Sequence, residues 1–82
     1  MFAEYMKIAM RTAHYEFIEE DKVFFGNIPP CQGVWASGTT LEECRDELEE
    51  VLEGWLILSL QMNLPIPEIN GISFNPKPIV NA

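Results

Sequence analysis

Seven carboxylates crowd one stretch of twelve residues: Glu42, Glu43, Asp46, Glu47, Glu49, Glu50 and Glu53, with Arg45 the only base among them. Carboxylates so arranged can bind a divalent cation, meet a basic partner, or solvate a surface. On a helix the pairs 42/46, 43/47, 46/50 and 49/53 stand one turn apart, and each like-charged pair costs a few tenths of a kcal/mol. A cation site requires oxygens that converge, and flexible glutamates spread along several turns do not form such a cage. The pattern therefore leaves two readings, a solvated helix face and a docking ridge for a basic partner, and it predicts no metal and no other cofactor.

Other reactive types are sparse. His14 is the sole histidine, and no serine or activated cysteine stands with it in a recognisable nucleophile–base arrangement, so no enzymatic activity is expected. Cys31 falls in a predicted turn with no neighbouring cation to activate it, and Cys44 falls on an apolar stripe. Trp35 and Trp55 lack an accompanying basic groove and suit packing or interface anchors better than base-stacking platforms. The run GVWASGTT leads into a helix start, as phosphate-binding loops do, yet Glu42 and Glu43 would occupy the positive end of the helix dipole and repel an anion.

The chain that must position these groups has 82 residues, 48% of them hydrophobic, enough for one core and a single domain over 1–82. A core of this size supplies on the order of 3–5 kcal/mol, so self-association, a dimer first, is a natural remedy. Thirteen acids against five bases give a net charge of −8, which opposes nucleic acid and anionic lipid and suits a basic protein partner. Two cysteines and one histidine make neither a disulfide framework nor a zinc spacing, which points to a reducing, cytoplasmic setting. The longest wholly apolar run is four residues, 55–58, too short for a signal peptide or a membrane span.

Periodicity sets the elements. Phe2, Tyr5, Met6, Ala9, Met10 and Ala13 recur at helical spacing and predict a helix over 2–12; a strand reading, in which Met6, Ile8 and Met10 alternate, puts Tyr5 and Ala9 on the polar side. At His14 the period drops to two, with Tyr15 and Phe17 alternating against His14 and Glu16. A polar tetrad, 19–22, joins this strand to VFFGNI in a hairpin, and Pro29 and Pro30 end the second strand. Gly33 and Gly38 bracket a third strand over 34–37.

Thr40 and Glu43 form a predicted capping box, with the Glu43 carboxylate reaching back to the amide of Thr40. Leu41, Cys44, Leu48, Val51, Leu52, Trp55, Leu58 and Met62 then keep helical spacing until Leu64-Pro65 stops the helix. EINGISF is expected as a short fourth strand and 75–82 as a tail. The fold class is α+β: an N-terminal helix within 1–13, then a core over 14–74 made of a three-stranded antiparallel meander, a long crossover helix and the fourth strand. In WLILSLQM the residues Trp55, Leu56, Ile57 and Leu60 make the helix apolar on nearly all sides, which predicts either a self-association surface or cover from the N-terminal helix and the tail.

Residues 14–68 resemble the antitoxin-like family called HicB, in which a hairpin and a proline-bearing turn precede G-V/C-x-A-x-G-x-T-L-E-E, a long helix and I-P-x-P. Gly33, Val34, Ala36, Gly38, Thr40, Leu41, Glu42, Glu43, Pro65 and Pro67 carry the resemblance, and Cys44 stands where that family often has alanine. The resemblance implies a partial RNase H-like fold, with the fourth strand beside the first and parallel to it. It also implies a role in neutralising a small basic mRNA-cleaving toxin, called HicA, by covering its RNA-binding and catalytic surface. Members of that family usually add a C-terminal DNA-binding segment, whereas eight residues follow Phe74, so no direct nucleic acid binding is expected. Other readings stay open: an orphan structural oligomer of the same fold, or a divalent-metal enzyme using His14, Glu16 and the acidic helix.

Overall fold

The computed structural model describes residues 2–72. Its elements are α1 (Phe2–Arg11), β1 (His14–Ile18), β2 (Val23–Asn27), β3 (Trp35–Gly38) and α2 (Leu41–Gln61), an α+β arrangement in which the strands form one antiparallel sheet in the order β1-β2-β3. The register pairs Tyr15 with Gly26 and Gly26 with Ala36, so Tyr15, Phe17, Phe24, Gly26, Ala36 and Gly38 share one face. α2 lies over that face, mainly above β3 and β2, and α1 packs beside α2. Tyr5, Met6 and Ala9 of α1 join Leu48, Leu52 and Leu56 of α2 and Ile28, Cys31, Val34 and Ala36 in one core.

Two close approaches explain small residues in the sheet. A Cβ on Gly38 would stand 2.6 Å from the Cys44 nitrogen, so a side chain there would collide with the first turn of α2. At Gly26 the would-be Cβ meets the Tyr15 ring at 2.8 Å and the Cys44 sulfur at 3.1 Å, which makes the glycine the floor on which Tyr15 rests.

The β2–β3 connection is a pair of turns. The amide of Cys31 donates to the Ile28 carbonyl at 2.9 Å around Pro29-Pro30, and the amide of Val34 donates to the Cys31 carbonyl at 3.1 Å around Gln32-Gly33. Gly33 has φ 93, a conformation in which other residues are strained. The double turn carries Cys31 inward to complete burial.

α2 ends in a Schellman motif. The Leu64 amide donates to Ser59 at 2.8 Å and the Asn63 amide to Leu60 at 3.3 Å, with Asn63 left-handed at φ 55. The stop signal is thus Asn63, acting ahead of Leu64-Pro65.

The segment expected as a fourth strand is described as far as Ile72. Up to there it closes on itself: Ile69 and Ile72 exchange two backbone hydrogen bonds, at 3.0 and 2.8 Å, around Asn70 and Gly71, whose φ values are 51 and 79. Asn-Gly with both residues at positive φ is a tight hairpin turn. Residues 73–74 and the tail 75–82 lie outside the described residues.

Candidate functional site

All seven carboxylates of α2 are exposed, while Cys44, Leu48, Leu52 and Leu56 on the opposite side are fully buried. The helix begins as the capping residues dictate, with one change of partner. The Glu43 amide donates to Thr40 Oγ1 at 3.0 Å, and the Glu43 carboxylate accepts from the amide of Thr39 at 3.1 Å and from its hydroxyl at 2.5 Å rather than from Thr40. Thr39 offers two donors on one residue, and these hydrogen bonds hold the Glu43 carboxyl below the usual carboxylate range.

Asp46, Glu49, Glu50 and Glu53 form one wall of a groove of about 890 Å³ between α2 and α1. The groove also carries Lys7 and Arg11 from α1 and Arg45 from α2. Four acids thus share it with three bases, whereas Glu42, Glu43 and Glu47 stand outside its lining. Lys7 and Arg11 were legible only as the polar side of α1; their position opposite the acids follows from packing through Tyr5, Met6 and Ala9.

Under the same helix, the Tyr15 hydroxyl is buried with no hydrogen-bond partner among the described residues. Burial pushes its ionisation up, a rise that Arg45 partly opposes. Tyr5 is fully buried and donates to the Pro67 carbonyl at 2.5 Å, with Cys31 Sγ at 3.8 Å. Desolvation raises the pKa of Tyr5, and likewise those of the Cys31 and Cys44 thiols, so neither sulfur is an activated nucleophile.

His14 and Glu16 alternate with Tyr15 and Phe17 along β1, which sets them on the sheet face turned away from α2. They share no site with the acidic helix. Among the described residues no group of three or more His, Cys, Asp or Glu side chains is placed to hold a metal ion. That outer face also bears Phe25 and Trp35, stacked with ring centroids 5.8 Å apart, and Trp35 is 57% exposed.

The apolar end of α2 divides differently from the sequence expectation. Leu56 belongs to the core, fully buried against α1 and the sheet side, and Trp55 and Leu60 are half-buried; of the four expected interface residues Ile57 alone is exposed. Leu58, Met62 and Leu64 join it at the surface. No helix among the described residues is long and apolar enough to cross a membrane.

Residues 4–67 match the family described as UPF0150-like, a span that holds the acidic wall of the groove with Lys7 and Arg11 opposite and ends on the Pro67 that Tyr5 grips. The chain is also similar to TTHA0281 from Thermus thermophilus, known from its crystal structure. The two are 33% identical over 92% of this chain and 93% of that one, with a TM-score of 0.85. No curated protein matches the chain.

Proposed function

The chain belongs to the UPF0150-like family, and from that premise we propose that it is a protein-binding module of the HicB-like antitoxin type. It would neutralise a small basic mRNA-cleaving toxin of the HicA type by covering the surface that takes RNA. The supporting observation is the ridge of seven exposed carboxylates on one side of a helix whose other side is locked into the core. The ridge spans eleven helical steps, about 16 Å at ~1.5 Å per residue.

A surface built to bind RNA presents lysines and arginines spaced for phosphates. A rigid row of carboxylates competes for those cations and speeds encounter by long-range attraction. Fixing the row on a packed helix spares the ordering cost that a flexible acidic segment would incur on binding. The Glu42, Glu43 and Glu47 end is the better docking point, because Lys7, Arg11 and Arg45 offset the acids of the groove.

Co-expression with the cognate small basic ribonuclease tests the reading. Restored growth and copurification of the two chains are expected; absence of both overturns it.

A further inference from the structure

We infer that α2 pairs with α2 of a second copy, antiparallel, about a two-fold axis at Leu58. The first observation is Gly54, in the middle of a 21-residue helix, where glycine is unfavourable. It has no left-handed φ, and beyond its chain neighbours and its own helical backbone no atom of the described residues lies within 4 Å of where a Cβ would stand. Packing among the described residues of one chain therefore gives no reason for a glycine there.

The second observation is what lies along the same ridge. Leu58 and Met62 follow Gly54 at four-residue steps and are 51% and 58% exposed, with Ile57 at 43% beside Leu58 and Leu64 at 47% just past the helix end. A bare backbone patch beside large exposed side chains is a hole beside its knobs.

Charge selects the occupant. Residues 54–67 contain no charged side chain, and the seven acids of the helix all lie in 42–53. A basic partner is drawn to the acidic half. A second copy running parallel would set acids against acids, whereas an antiparallel copy centred on Leu58 overlays the uncharged halves and sends the acids to opposite ends.

In that arrangement Leu58 meets its own counterpart, and Met62 of each copy covers Gly54 of the other. The contact is self-complementary and closed, as a two-fold interface must be. Ridges of four-residue spacing interdigitate at a crossing angle of about −50°. Both acidic ridges remain open for docking, and the pairing does not depend on the toxin reading.

Sedimentation equilibrium of the full chain, with circular dichroism, tests the inference. The wild type is expected at twice its 9.4 kDa mass, and Gly54→Leu at the single-chain mass with its helical signal retained, since leucine is the better helix former. Leu58→Cys is expected to form an interchain disulfide on oxidation in preference to a Glu47→Cys control. A monomeric wild type, the result if residues 73–82 or nothing covers the ridge, overturns the inference. So does a dimeric Gly54→Leu, or a Leu58→Cys that cross-links no faster than the control.

Discussion

The phenol of Tyr5 in α1 donates a hydrogen bond to the carbonyl of Pro67 beyond α2, joining points 62 residues apart and tying together the two ends of the family-matched span. The bond adds to the packing of Tyr5, Met6 and Ala9 that seats α1 as the second wall of the groove. Tyr5→Phe leaves the Pro67 carbonyl without this donor and is expected to cost about 1–2 kcal/mol. Tyr5→Ala also empties a fully buried aromatic site and is expected to cost about 3–5 kcal/mol. Urea midpoints at an unchanged slope measure both.

Gly38 lies against the backbone of Cys44 and cannot yield as it could to a flexible side chain. Gly38→Ala is expected to destabilise the fold by about 1–3 kcal/mol through overpacking. Gly33→Ala meets no atom of the described residues beyond its chain neighbours, and its cost, about 1–2 kcal/mol, comes from the left-handed φ. A crystal structure of the Gly38 variant should show the first turn of α2 displaced from β3, while the Gly33 variant keeps that spacing.

Alkaline pH should unfold the chain earlier than an ordinary surface predicts. Tyr5, Tyr15, Cys31 and Cys44 all hold their protons more tightly in the fold than outside it. A raised folded pKa contributes stability that is complete below the unfolded values, 9.0 for cysteine and 10.0 for tyrosine, and is lost as pH climbs through the folded values. Tyr15→Phe removes one such group and gives up no hydrogen bond among the described residues, so it should leave neutral stability unchanged or higher and make the alkaline limb shallower. Glu43 acts oppositely: its contribution is present above 4.5 and is lost as pH falls through its depressed value. Thermal midpoints across pH, compared with Tyr15→Phe and Glu43→Gln, check both limbs.

Reversing charge on the ridge should separate the helix's own stability from its docking role. Glu47→Lys converts the 43/47 repulsion into an attraction of about 0.3–0.5 kcal/mol. The variant is therefore expected to melt no lower than the wild type, yet to associate more slowly with a basic partner and to show a weaker salt dependence of that rate. Stopped-flow association at several ionic strengths reads this directly.

Local signals in the sequence determined the elements. The change from helical to alternating period at His14 marks the start of β1, and the Thr40–Glu43 cap begins α2 one residue later, because both depend on sterics and hydrogen bonds within a few residues. Asn70-Gly71 carries an equally local turn signal, and within EINGISF the described residues 69–72 form that turn.

What only the tertiary structure decided is which groups meet. Cys31 reads in sequence as a turn residue with nothing to say which way it points, and it is buried because two successive turns swing it toward Tyr5. Leu56 and Leu58 are equally apolar in sequence, yet one is core and the other surface, since the placement of α1 and the sheet beneath α2 selects the covered side. Lys7 and Arg11 face acids some forty residues away through the same packing. Periodicity fixes which residues of an element share a side, but the partner of that side is set by burial summed over contacts distant in the chain.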